Sequence, residues 1–134
     1  MKFLLDNNLP PAPAEALNAL SRAGGDEVFH LRQRFLPSTP DHAWIGSLAT
    51  EGHWAIVSHD RFTKNELERN ALQVSGFIVF VLTRGWSGLP FWDKVALLVR
   101  WWPRILEQAR LVESGGFLVP PRYGAKGRFK SVPL

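Results

Sequence analysis

Short apolar runs, each broken off by a polar cluster, alternate along the chain with segments of helical periodicity. The first run, Phe3-Leu4-Leu5, carries no charge and stops at Asp6-Asn7-Asn8, as a parallel strand covered on both faces would. Pro10, Pro11 and Pro13 suit only the opening turn of a helix. Ala14, Leu17 and Leu20 then recur at helical spacing until Gly24 and Gly25 stop the run. Asp26 to Leu31 predicts a second strand, returning parallel to the first through a right-handed crossover, and Arg32 to Pro37 reads as loop. Ser38-Thr39-Pro40-Asp41 marks the next helix, with a hydroxyl as cap, proline in the first position and an acid in the first turn. It is expected to reach about Glu51, with Ile45, Leu48 and Ala49 inward and Trp44 beside them.

Trp54 to Val57 predicts a third strand, ending on Ser58-His59-Asp60. Thr63-Lys64-Asn65-Glu66 has the form of a capping box and opens a third helix, which runs to about Leu72. Phe77 to Leu82 is rich in β-branched and aromatic residues and predicts a fourth strand. After a loop holding Gly85, Trp86 and Gly88, Pro90 opens the longest helix, whose buried face is expected at Trp92, Val95, Ala96, Val99, Trp102 and Leu106. Pro103 should kink or split it. Phe117 to Val119 suggests a final edge strand, and Arg122 to Leu134, with Lys126, Arg128 and Lys130, reads as a mobile basic tail. The expected architecture is a single α/β domain over residues 1–121, with a mainly parallel sheet of four to five strands between helices and a tail over 122–134.

Composition narrows the class. At 46% apolar and 21% charged, the chain has the balance of a folded protein, and no apolar stretch approaches the roughly 20 residues of a membrane-spanning helix. No secretory pattern is seen, so a cytoplasmic address is expected. Without cysteine there is neither a disulfide nor a thiolate metal site, and any metal must be held by oxygen or imidazole. The net charge of +4 leans modestly toward polyanionic partners.

The chemistry converges on acids. Asp6 ends the first strand and Asp60 the third, and Asp41 opens the helix after the second, so a parallel sheet brings all of them to one rim, where α/β folds bind ligands. Carboxylates gathered there repel unless a cation neutralises them. Mg²⁺ or Mn²⁺ suits oxygen donors, keeps waters for substrate phosphates and activates a water for in-line displacement.

Three segments carry a resemblance to a known family: Lys2-Phe3-Leu4-Leu5-Asp6-Asn7-Asn8-Leu9-Pro10, Pro40-Asp41-His42-Ala43-Trp44-Ile45, and Val57-Ser58-His59-Asp60-Arg61. Together they resemble small PIN-like domains related to VapC-type toxins. The resemblance implies a three-layer α/β/α sandwich and an Mg²⁺- or Mn²⁺-dependent endoribonuclease acting on single-stranded RNA. It also implies a small antitoxin protein as partner and points to a homodimer. Asp6 matches the first metal-binding aspartate of that pattern, Asp60 the acid of its strand-end motif, and Asp41 the acid at its helix start. Related proteins often carry glutamate where this chain has Asn7, and the usual fourth acid has Glu66 as its nearest candidate here.

Each of these residues also has an ordinary explanation. Asp6 and Asp60 suit turns, Asp41 complements the helix dipole, and Glu66 completes a capping box. Asn7 and Ser58 are candidates to orient the carboxylates. Arg32, Arg34, Arg61, Lys64 and Arg84 fall near the same rim, as contacts to an RNA backbone would require. His42 and His59 flank two of the acids and are assigned no catalysis. Trp86 stands in a glycine-containing loop where it would stack a base or receive an antitoxin helix or a second protomer. Competing classes are a PIN-like domain that only binds RNA or protein, and a phosphatase with Asp6 as nucleophile, which would want a second aspartate where Asn8 stands. A dinucleotide-binding enzyme lacks its glycine fingerprint after the first strand.

Overall fold

The uncharged opening run becomes β1 (Lys2–Leu5), whose Phe3, Leu4 and Leu5 are wholly buried between two other strands. The computed structural model describes residues 1–124 and 129–134. After β1 come α1 (Pro11–Ser21), β2 (Glu27–His30), α2 (Asp41–Glu51), β3 (Trp54–Ser58), α3 (Glu66–Ser75), β4 (Ile78–Leu82), α4 (Phe91–Leu111), β5 (Gly115–Val119) and β6 (Lys130–Val132). Single turns of 3-10 helix flank β2 at Arg22–Gly24 and Leu31–Gln33.

Among the described residues six strands form one sheet in the order β2-β1-β3-β4-β5-β6; the first five are parallel, and β6 runs antiparallel to β5. Alternate side chains enter two separate cores. Phe3, Leu5, Val57, Phe80 and Phe117 pack with Leu17 of α1 and Trp101 and Ile105 of α4. Leu4, Ile56 and Val79 pack with Trp44 and Leu48 of α2 and Leu72 of α3. The result is a three-layer α/β/α sandwich, and the strand order reverses between β1 and β3, where doubly wound sheets open a crevice at their carboxyl ends.

Several boundaries differ from the sequence expectation for physical reasons. The sheet has six strands, one more than the upper expectation, and β5 is internal because β6 covers it. Residues 129–134 therefore do not form a free tail: Phe129 stacks against Trp101 at 5.3 Å and Phe80 at 5.6 Å. Lys126 and Arg128 lie outside the described residues. The hydroxyls of Ser38 and Thr39 do not cap α2, whose first residue is Asp41, after Pro40. α3 is capped by Asn65, whose Oδ1 accepts from Glu68 N at 2.9 Å, so the helix begins at Glu66 rather than at Thr63.

α4 continues through Pro103, with the carbonyl left without a donor, that of Val99, on the exposed side. Its apolar residues form two overlapping stripes, and only the one through Leu98, Trp101, Trp102, Ile105 and Ala109 is covered. Trp92 and Val99 of the expected face are exposed, as is Leu20 of α1. Among the described residues no helix is long and apolar enough to cross a membrane.

β6 approaches β5 closely at Gly116, where a Cβ would come within 2.8 Å of Leu134 Cδ2 and 3.0 Å of the Val132 carbonyl oxygen. Gly116→Ala is therefore expected to lower stability by about 1–3 kcal/mol in urea unfolding, because the backbone on the far side cannot yield as a side chain would. Unchanged stability would mean that β6 is not held against β5.

Candidate functional site

Asp6 follows β1 directly and is only 6% exposed. The register that pairs Leu5 with Val57 puts it beside Ser58, the last residue of β3. Ser58 Oγ donates to Asp6 Oδ2 at 2.7 Å, and the Asn7 backbone N–H donates to Oδ1 at 2.6 Å. Burial pushes the Asp6 carboxyl above its usual value; the hydrogen bonds from Ser58 and Asn7 oppose this, and the charges of Asp41 and Asp60 add to it. Asn8 ties the two strand ends together, its Nδ2 donating to Ser58 Oγ at 3.1 Å and its Oδ1 accepting from His59 N at 3.3 Å.

Asp60 is fixed by the same hydroxyl, since its backbone N–H donates to Ser58 Oγ at 2.9 Å. Its Oδ1 accepts from Phe62 N at 2.9 Å, closing an Asx turn, and its Oδ2 lies 3.8 Å from Lys64 Nζ. Phe62, at the end of that turn, has φ 59°, a left-handed conformation costly for a bulky residue. Burial of the Phe62 ring against Trp44, edge to face at 5.5 Å, offsets the cost. Trp44 also donates from Nε1 to Asp41 Oδ1 at 2.9 Å, so one buried indole supports both the Asp41 carboxylate and the turn that carries Asp60.

Glu68 is the acid of α3 that feels the charges of Asp41 and Asp60, a position that the cap spacing of Thr63 and Glu66 does not single out. Glu66 is exposed, whereas Glu68, two residues or about 200° further round α3, is buried at 7% exposure. Burial raises the Glu68 carboxyl above its usual value, and repulsion from Asp41 and Asp60 adds to it, partly countered by a backbone hydrogen bond and by the charge of Lys64. Among the described residues its Oε2, which is buried, has no hydrogen-bond partner. The signal was present in Asn65-Glu66-Leu67-Glu68, an N-cap residue followed three positions later by an acid.

The cations divide. Arg32 reaches the rim, donating from Nε to Asn7 Oδ1 at 2.6 Å, and Arg61, Lys64 and Arg84 are exposed. Arg34 does not join them: it pairs with Glu51 and lies over the rings of Phe29 and Trp54. Trp86 is fully buried and donates to the Val119 carbonyl at 2.9 Å, which removes it as a stacking surface. His59 is shifted downward by burial, then by the charge of Lys94, against a backbone contact at Leu82. A cleft of about 70 Å³ beside Asp41 is lined by Leu31, Arg32, Phe35 and Leu36 among others.

Among the described residues no three His, Asp or Glu side chains converge closely enough to ligate one ion. The donor set nonetheless fits a hard divalent cation in kind. It is all oxygen, its two buried members, Asp6 and Glu68, are each repelled by Asp41 and Asp60, and among the described residues one buried carboxylate oxygen lacks any partner. Asp6, Asp41 and Asp60 meanwhile accept from donors of their own, Ser58, Trp44 and Phe62.

Over residues 1–84 the chain matches a family model described as PIN like domain, a stretch that contains β1 to β4 and Asp6, Asp41, Asp60 and Glu68. No curated protein and no solved structure matches it.

The raised Asp6 and Glu68 carboxyls have a consequence for stability. A carboxyl raised in the folded state favours folding while protonated, so this contribution is present below the ordinary values of 3.8 and 4.5 and is lost as pH rises through the folded-state values. In metal-free buffer the stability advantage of Asp6→Asn and Glu68→Gln over the native chain should therefore grow from pH 4 toward pH 7 in urea unfolding. The lowered His59 is common to all the proteins and cancels in the difference. A pH-independent difference would contradict the burial of these two acids.

Proposed function

The chain belongs to the PIN-like domain family, whose fold is of a nuclease type, and on that premise we propose that it is an Mg²⁺- or Mn²⁺-dependent endoribonuclease. Its substrate is single-stranded RNA, and it is the toxin of a pair whose other member is a small antitoxin protein, a reading that rests on the likeness of its three motifs to VapC-type toxins. The observation that carries the nuclease reading is the acid rim, where buried Asp6 and Glu68 both feel Asp41 and Asp60 and Glu68 keeps an oxygen without a partner.

Asp6, Asp41, Asp60 and Glu68 would hold the cation, which when bound supplies an activated water and charge for a phosphate undergoing displacement. The other residues prepare that rim. Ser58 and Asn8 hold Asp6 between the two strand ends, and Trp44 fixes Asp41 and backs the turn at Asp60. Arg32, Arg61, Lys64 and Arg84 offer positive charge along the approach of a phosphate backbone. His59 is held toward its neutral form by burial and by Lys94, so Nε2, which has no partner, accepts rather than donates a hydrogen bond when the proton is on Nδ1.

A second reading, a PIN-like domain that binds RNA without cutting it, is favoured by the donor that each of Asp6, Asp41 and Asp60 has taken for itself.

Calorimetric titration with Mn²⁺, run beside cleavage of a single-stranded RNA, separates the two. Binding and cleavage should both be lost in Asp6→Asn, with the fold retained, and Glu68→Gln should cost more than the ~10–100-fold of an outer-shell change, while Glu66→Gln is silent. Absence of binding at millimolar metal would sink the nuclease reading in favour of the binding module. Trp44→Phe, which keeps a ring against Phe62 but loses the bond to Asp41, should weaken metal affinity by roughly 10–100-fold. An unchanged affinity in that variant would leave Trp44 a purely structural role.

A further inference from the structure

Of the six tryptophans, Trp44, Trp54, Trp86, Trp101 and Trp102 are at most 3% exposed, and Trp92 is 79% exposed. Its neighbour Phe91 is 45% exposed, and the two rings meet edge to face at 5.5 Å, so they form one aromatic surface rather than two scattered side chains. Folding gains little from this pair, because the covered stripe of α4 starts only at Leu98.

The pair stands on the functional rim. α4 opens directly after the loop that leaves the carboxyl end of β4, on the same edge of the parallel sheet as Asp6 and Asp60. The charge of Lys94, in the first turn of α4, is felt by His59, the neighbour of Asp60. Arg61, Arg84 and Lys94 supply positive charge along this edge, and among the described residues none of them is in an ion pair.

We propose that Phe91 and Trp92 form a stacking platform for an unpaired base of a single-stranded nucleic acid whose phosphates run past Lys94, Arg84 and Arg61 toward the acid rim. The proposal deepens the nuclease reading and rests on its assignment of the rim to nucleic acid. The face of an exposed ring meets the π-face that all bases share, so the platform favours unpaired strands over duplex with little sequence preference. A protein partner would also use exposed aromatics, but the cations along this edge, none of them in an ion pair among the described residues, match a phosphate chain.

The solitary exposure of Trp92 makes the test direct. A short polyuridine strand is titrated into the full chain in EDTA, which suppresses cleavage, with tryptophan emission and the anisotropy of a labelled strand read together. The native chain should lose emission on binding; Trp92→Phe should bind with similar affinity and little change in emission; Trp92→Ala should bind roughly 5- to 150-fold more weakly. A duplex of equal length should compete poorly. Native affinity in Trp92→Ala overturns the proposal, and so does shielding of Trp92 that follows protein concentration instead of RNA, which would make this face a contact between copies of the chain. Trp92-dependent binding without metal-dependent cleavage would defeat the nuclease reading and leave the platform standing, whereas cleavage indifferent to Trp92 would do the reverse.

Discussion

The hydrogen bond from Ser58 Oγ to Asp6 Oδ2, buried and 2.7 Å long, joins the two strand ends on which the rim is built. A carboxylate at 6% exposure has lost most of its hydration and needs donors in return. Ser58 is available only because Leu5 pairs with Val57, and a slip of one residue would turn the serine to the other face. The same hydroxyl accepts from Asp60 N, so the register of two central strands positions two acids at once. What looks like a local contact is in effect the point where the sheet's geometry becomes electrostatics.

From there the constraint spreads through packing. Trp44 reaches Asp41 with its nitrogen and Phe62 with its ring, and Phe62 accepts a left-handed backbone to keep that contact. Strain of this sort persists where surroundings over-determine it, and here it lies two residues from an acid of the rim. The core beneath α2 and the chemistry above it therefore share side chains, and a change in one is felt in the other.

Much of this was legible in the sequence, for identifiable reasons. β1 and β3 show because the buried stretches Phe3–Leu5 and Trp54–Val57 carry no charge, and Asp6 and Asp60 stand out because the polar cluster that ends each run holds one of them. Glu68 was hidden by ambiguity: Thr63 with Glu66 and Asn65 with Glu68 both have the spacing of a cap and its acid, and only the tertiary structure selects the second. The face of α4 was misjudged because the helix is apolar on more than one side, so periodicity alone does not say which stripe meets the sheet. β6 escaped notice as a three-residue strand whose partner contributes a glycine, and neither leaves an alternating pattern. Arg34 could be placed near the rim by chain position but not turned away from it, since that depends on Glu51, Phe29 and Trp54, all distant in sequence.

β6 has one more effect, on how the molecule keeps to itself. A parallel sheet ending on β5 would offer five residues of unpaired backbone beside a buried phenylalanine, a ready template for another chain. With β6 in place the sheet ends instead on three residues bearing an exposed lysine and followed by proline, and the opposite border, β2, is four residues bounded by tight turns. Both borders are short and interrupted, which disfavours aggregation through the sheet.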